Sequence, residues 1–231
     1  MLTVHHLENS RSQRILWLLE ELGLDYDIRR YERDPVTSLA PPELIAVHPL
    51  GKSPVITDNG RTVAESGAIV DYLLERYGAG RLVPAPDTPE LLRYRYWLHY
   101  AEGSFMPLMV MSLIVGRMES ANMPFFVRPV AKAIARRVKS SYLAPNIDRN
   151  MAFLEQSLNE SQWFAGENFT AADIQMSFPV EAAAKRVGLA TGYPKLSAYL
   201  ERIHERAAFK RAVERGGPYN LLGRPAGPTT G

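Results

Sequence analysis

Three short segments of this 231-residue chain set hydroxyls, a lysine, a carboxylate and a constrained proline at points where the local pattern changes. Asn9-Ser10-Arg11-Ser12-Gln13-Arg14 separates an alternating apolar segment from a helical repeat. At such a junction, unpaired N–H groups and the positive end of the helix dipole favour an anion. A hydroxyl at Ser10 can donate to a bound thiolate while the helix terminus lowers the thiol's pKa, so the serine stabilises a nucleophile and does not itself attack. Helix capping is the competing role for Ser10 or Ser12. In His48-Pro49-Leu50-Gly51-Lys52-Ser53-Pro54-Val55, Pro54 opens a strand, where its missing N–H does least harm and a cis bond can expose backbone to an extended ligand. Lys52 supplies a nearby cation, although a plain turn explains the same residues. Glu65-Ser66-Gly67 ends a strand and opens a helix, so Ser66 and the helix N-terminus suit a carboxylate while Glu65 suits an ammonium. That pair matches an amino-acid zwitterion, and N-capping by Ser66 is the structural alternative.

The elements that must position these groups follow from periodicity. Leu2 and Val4 alternate as a strand; Ile15, Leu16, Leu18, Leu19 and Leu22 recur at helical spacing and stop at Gly23; Tyr26 and Ile28 start a second strand. Asp34 to Pro49 reads as loop. Ser53–Thr57 and Arg61–Ala64 flank Asp58-Asn59-Gly60, a hairpin signal, and a helix with Ile69, Tyr72 and Leu73 ends at Gly78. The order β-α-β, β-β-α predicts a small α/β domain over 1–78. The proline-rich 79–89 predicts a linker, and helical spacing beyond it predicts an all-helical domain over 90–217, with helices near 128–160, 170–187 and 195–215. Residues 218–231, rich in Gly and Pro, read as an extended or disordered tail. On the first long helix of the second domain, Tyr96, Trp97, Tyr100, Ser104, Met106 and Met111 form an aromatic and methionine-rich stripe. Core packing is its ordinary use; Tyr100 and Ser104 are its candidates for lining an apolar pocket. Phe169 to Ile174 has the form of a capping box, Thr170 with Asp173, joined to a hydrophobic staple.

Composition removes other chemistries. With 0 cysteines there is no protein thiolate, redox CxxC, thiolate metal site or disulfide framework, so thiol chemistry requires a borrowed thiol. His5 and His6 face opposite sides of a strand, and His48, His99 and His204 are isolated, so no metal site is expected. Walker A and GxSxG motifs are absent. Net charge is +2, and the basic run Arg128, Lys132, Arg136, Arg137 and Lys139 has helical spacing without stacking aromatics. It reads as a solvated face, with no nucleic acid expected. The uncharged run between Glu102 and Arg117 falls short of the roughly 18 residues of a spanning helix, so no membrane association is expected. Nothing at the start reads as a secretory signal, which makes the cytoplasm the expected compartment.

Together the three segments, the domain order and the capping box resemble the cytosolic glutathione S-transferases, from Thr3 to about Gly217. The resemblance implies a thioredoxin-like N-terminal domain that binds glutathione as co-substrate, and an all-α helical-bundle domain that lines the electrophile site. It implies addition of the glutathione thiolate to a small apolar electrophile, and a homodimer. On this resemblance Ser10 matches the thiol-activating serine, its placement supported by the spacing to Arg14, with Asn9 and Ser12 as alternative activators. Lys52 matches a contact to the glycyl carboxylate, Ser53 the backbone that pairs with the cysteinyl unit, and Pro54 the cis-proline. Glu65 and Ser66 match the pair that grips the γ-glutamyl end. No tyrosine precedes Tyr26 and cysteine is absent, so the tyrosine- and cysteine-type activators are missing. Leu39 stands where a basic residue is frequent, so the glycyl end rests more heavily on Lys52. A glutathione-dependent peroxidase, isomerase or dehalogenase would share the thiol site, and a non-catalytic ligand-binding module is the alternative from outside enzymology.

Overall fold

The computed structural model describes residues 1–121, 123–187, 189 and 192–217; the tail expected at 218–231 lies outside the described residues. The first half runs β1 (Leu2–Leu7), α1 (Ser12–Leu22), β2 (Asp27–Tyr31), α2 (Pro42–Val47), β3 (Val55–Asp58), β4 (Arg61–Ala64) and α3 (Ser66–Tyr77). The four strands form one sheet in the order β2-β1-β3-β4, with β1 parallel to β2 and antiparallel to β3, and β3 antiparallel to β4. The hairpin forms as its sequence predicts: Asn59 (φ 48) and Gly60 (φ 81) are both left-handed, the requirement of a type I′ two-residue turn. Ile15, Leu16, Leu18 and Leu19 are fully buried, so the apolar stripe of α1 is a core face. Gly23 (φ 64) closes α1 by donating its N–H to the carbonyls of Leu19 and Glu20.

Two readings of this half change. The stretch predicted as loop contains α2, because Pro42 occupies its first turn, where a missing N–H is harmless. The second strand begins at Asp27 and not at Tyr26, and β2 lies at the sheet edge with most of its residues exposed.

The second half is helical: α4 (Pro89–Tyr100), α5 (Met106–Ser120), α6 (Arg128–Val138), α7 (Ala144–Glu160), α8 (Ala171–Val187), α9 (Pro194–Glu205) and α10 (Ala207–Gly216). A π-helical turn, Ala101–Phe105, joins α4 and α5 into one continuous helix. By length and composition that helix could cross a bilayer. Here it buries Tyr94, Trp97, Phe105 and Met109 in the core and carries Glu102 into ion pairs, the pattern of a core helix. The single helix predicted over 195–215 is two helices, broken at Arg206 (φ −62, ψ 129). The Arg206 guanidinium pairs with Glu21 at 2.6 Å and lies 3.7 Å from the Phe169 ring centre, which accounts for the break by drawing this residue onto the first domain.

The helical half is fastened to α1. Glu20 accepts from Arg211 and Arg215, and α10 approaches α1 so closely that a β-carbon on Gly216 would lie 2.5 Å from Gln13 Oε1 and from Leu16. Inside this half, Asp173 is wholly buried and its carboxylate accepts from the Thr170 N–H (2.9 Å), the Thr170 hydroxyl (3.3 Å) and the Phe164 N–H (3.0 Å). It thus caps α8 and ties down the preceding turn. Asp173→Ala strands two buried N–H donors, and we expect it to lower stability by about 3 kcal/mol in urea unfolding; an unchanged midpoint would show that water satisfies those donors.

Candidate functional site

The chain leaves β1 at Leu7 and turns through Asn9, which is left-handed (φ 50), before α1 begins at Ser12. This turn buries the Ser10 hydroxyl, whose oxygen accepts the Ser12 N–H (3.2 Å) and lies 2.7 Å from Ser12 Oγ and 3.3 Å from Ser53 Oγ. The N-cap position of α1 is Arg11, which makes no side-chain cap bond, so Ser10 meets the first helical N–H from one residue ahead of the cap. Across from it, Ser53 Oγ donates to the His5 carbonyl (2.9 Å), and the Ser53–Pro54 peptide is cis.

At the other end, the expected N-cap moves by one residue. Glu65 is the cap position of α3, held in the left-handed region (φ 70, ψ 126), a conformation that costs a non-glycine residue about 1–3 kcal/mol and is concentrated at functional sites. Ser66 is the first helical residue; its oxygen accepts from Arg14 Nη2 (3.3 Å) and Gln175 Nε2 (3.0 Å), so partners from α1 and α8 position it and helix capping does not.

A cavity of about 220 Å³ brings Lys52, Ser53, Pro54, Glu65 and Ser66 together. A second cavity, of about 160 Å³, holds Asn9 and Ser10 against an apolar wall of Met106, Met109, Leu113 and Phe178. Arg11 and Ser53 line both, which makes the two cavities neighbours. Ser12 is fully buried behind Ser10 and lines neither.

Tyr100 and Ser104 are not brought to either cavity. The Tyr100 ring packs with Tyr96, Trp97 and Phe153 and its hydroxyl donates to Asn150, while Ser104 lies on the exposed side of the π turn. The helix that carries the stripe does supply the wall, but one turn further along, through Met106 and Met109. Leu113 and Phe178 escape sequence reading because α5 and α8 meet only in the fold.

Nothing in the local sequence marks Arg11, Arg14 or Glu102 for this cleft, although Glu102 starts the uncharged run. Glu102 projects from the π turn and pairs with Arg11 and with Arg14 (2.6 Å). Arg14 is 2% exposed and also donates to the Gln175 carbonyl at 2.6 Å. Burial acts to raise the pKa of the Glu102 carboxyl, but the Arg14 and Arg11 guanidiniums outweigh it and hold the group below the ordinary glutamate value.

The cleft is thus built on a four-stranded α/β domain with a cis-proline, followed by a helical domain that walls the neighbouring cavity. Residues 1–75 match the profile described as "Glutathione S-transferase, N-terminal domain", and residues 120–207 the profile "Glutathione S-transferase, C-terminal domain". Glutathione S-transferase 3 of Schizosaccharomyces pombe is 38% identical over 93% of this chain and 88% of its own. Glutathione S-transferase 1 of Saccharomyces cerevisiae is 31% identical over 93% and 95% respectively. A crystal structure of a glutathione S-transferase from Actinobacillus pleuropneumoniae superposes with a TM-score of 0.78 at 34% identity, covering 98% of this chain and 97% of that one. The chain belongs to the glutathione S-transferase family and is an enzyme of that family.

The pair between Glu102 and Arg14 makes a prediction with a definite sign. Because the folded state holds the Glu102 carboxyl below its ordinary value, the contribution of the pair is full above that ordinary value and fades as pH falls through the lowered one. Glu102→Gln is expected to destabilise the protein by about 2 kcal/mol at neutral pH, with the difference from wild type shrinking in acid. Thermal melts across pH check this, and a difference that stays constant into acid would contradict it.

Proposed function

We propose that the cleft binds glutathione across the two cavities, with its sulfur at Ser10 as thiolate, and that the electrophile rests against the Met106–Phe178 wall. The observation that carries this reading is that Ser10 and Ser53 lie 3.3 Å apart where the two cavities meet. A peptide paired with the Ser53 backbone would bring its thiol beside the Ser10 hydroxyl. Lys52 meets the glycyl carboxylate. Glu65 takes the γ-glutamyl ammonium, and Ser66, at the start of α3, takes the adjoining carboxylate through its N–H and hydroxyl.

Ser10 acts by preferring the charged form of the sulfur: its hydroxyl and the N-terminus of α1 stabilise thiolate over thiol. The sulfur lone pair then forms a bond to an electrophilic carbon, and the displaced group leaves with its bonding pair; in an addition, the negative charge passes to the acceptor and is protonated. Arg33 and Arg186 line the same cavity as the apolar wall. Cations there favour electrophiles whose leaving group or carbonyl becomes negative in the transition state. Asn9 also lines this cavity and is the rival donor. The glutathione complex of a sphingomonad glutathione S-transferase, 25% identical with a TM-score of 0.69, supports glutathione as the thiol donor. Family membership likewise supports a homodimer in the cytoplasm, and the linker expected at 79–89, which runs from beyond α3 to the first residue of α4, supports the division into two domains.

Ser10→Ala is expected to lower kcat/KM about 10²-fold, the loss of one hydroxyl donor to a developing or held anion, while S-methylglutathione binds as in wild type. Steady-state kinetics with an aryl halide and calorimetry with the methylated tripeptide test this; a change within twofold in kcat/KM would remove Ser10 from the chemistry and leave Asn9 as the donor.

A further inference from the structure

Behind Ser10 runs a chain of hydrogen bonds that thiolate stabilisation alone does not require. Ser10 Oγ lies 2.7 Å from Ser12 Oγ, and Ser12 Oγ lies 2.8 Å from His6 Nδ1. All three side chains are at least nine-tenths buried. His6 sits on β1, at the edge of a third cavity of about 230 Å³, which shares Asn9 with the Ser10 cavity and is also lined by Glu8, Arg30, Glu32 and Gly216.

The direction of this chain is set by the imidazole. Burial, and then the Arg30 guanidinium, push His6 down to about 4, so the ring is neutral at physiological pH. A backbone hydrogen bond to Gly216 favours its protonated form, which identifies the backbone group as an acceptor. With Nδ1 facing Ser12, the ring N–H that meets Gly216 is at Nε2, and Nδ1 carries a lone pair. The Ser12 hydroxyl therefore donates to His6, and the Ser10 hydroxyl, which has Ser12 Oγ at 2.7 Å and Ser53 Oγ at 3.3 Å as acceptors, donates in this state to the nearer Ser12 and keeps a lone pair for the thiol. In this state Ser10 is arranged to receive a proton.

We propose that Ser10, Ser12 and His6 form a relay that takes the proton of bound glutathione's thiol and delivers it to water in the cavity beside Gly216. The inference rests on the reading of Ser10 as the thiol's partner. The S–H bond breaks as an O–H bond forms at Ser10; the proton already on Ser10 passes to Ser12, and that on Ser12 passes to His6 Nδ1. The Nε2 proton of the imidazolium then leaves the Gly216 backbone acceptor for cavity water or a buffer base, so the net change is a thiolate in the site and one proton in solution. After these transfers every bond in the chain has reversed: His6 donates to Ser12, Ser12 to Ser10, and Ser10 to the sulfur anion. The hops that ionise the thiol thus also turn the Ser10 hydroxyl to hold the thiolate. The thioether product has no charge to sustain that direction, and exchange with cavity water returns the ring to its resting tautomer. His6 and Ser12 are positioning and relay residues that act through Ser10.

The charged groups that face His6 are Arg30 on β2 and, around the cavity, Glu8 and Glu32; on its other flank α1 presents Ser12 and α10 the Gly216 backbone. Ser12→Ala cuts the relay at its middle and leaves Ser10 in place, Ser12→Thr restores the hydroxyl, and His6→Gln keeps an acceptor that cannot take up a proton. Two readouts are used: the pKa of bound glutathione's thiol by ultraviolet thiolate absorbance, and the rate of proton release on mixing, followed with a pH indicator. We expect Ser12→Ala to raise the thiol pKa by about one unit and to slow proton release about tenfold or more. S-methylglutathione, which has no thiol proton, should bind as in wild type. Ser12→Thr should recover both quantities, and His6→Gln should slow release as Ser12→Ala does. Wild-type values in both Ser12→Ala and His6→Gln, with Ser10→Ala still raising the thiol pKa, would overturn the relay and leave Ser10 as the activator. An unshifted thiol in wild type, or loss of S-methylglutathione binding in Ser12→Ala, would overturn it as well, the first by removing its premise and the second by reducing Ser12 to a structural role.

Discussion

Arg14 brings a full positive charge to a place where almost no water reaches, and a guanidinium buried without partners would cost several kcal/mol. Its partners come from every part of the molecule that matters to the cleft: Glu102 on the π turn of the helical domain, the Gln175 carbonyl on α8, and the Ser66 hydroxyl at the start of α3. The charge can be accommodated only when the two domains are docked and Ser66 is in position. One side chain of α1 therefore couples the assembly of the fold to that of the end of the cleft lined by Glu65 and Ser66. Glu102 reaches Arg14 from the π turn between α4 and α5, a kind of turn frequent at functional sites.

The remaining geometry divides the labour between rigid and strained elements. Ser10 and Ser53 sit at the ends of segments anchored by β1 and the cis-proline turn; the Ser53 hydroxyl donates to the His5 carbonyl and accepts the Leu7 N–H, and it lies 3.3 Å from Ser10 Oγ. Glu65, by contrast, is held at φ 70. The antiparallel hairpin on one side and the start of α3 on the other over-determine its backbone, and its side chain lines the same cavity as Lys52 and Ser66. The helical domain contributes the apolar wall and, through α10, closes the far side of β1 where His6 meets Gly216.

Much of this was legible in the sequence because it depends on local pattern. The I′ turn at Asn59-Gly60, the stop at Gly23, the box at Thr170 and Asp173, and the grouping of Lys52, Ser53, Pro54, Glu65 and Ser66 each rest on residues close in the chain or on junctions that periodicity exposes. What failed depends on tertiary partners. Ser66 is held by Arg14 and Gln175 and does not cap α3; Arg206 interrupts a helix because Glu21 and Phe169 draw it away; α2 hides behind prolines that usually signal loops. Tyr100 and Ser104 share a helix with the wall residues, but periodicity alone could not say which turn of that helix faces Ser10.

In the proposed function Ser10 shifts the ionisation of a thiol that the chain itself does not contain. The most direct test is a titration of glutathione's thiol in complex with wild type and with Ser10→Ala, read by the ultraviolet absorbance of the thiolate. The account predicts a bound thiol well below its value in free solution for the wild type and a return toward that value in Ser10→Ala with affinity retained. An equally lowered thiol in both proteins would contradict it and place the activation elsewhere in the turn between β1 and α1.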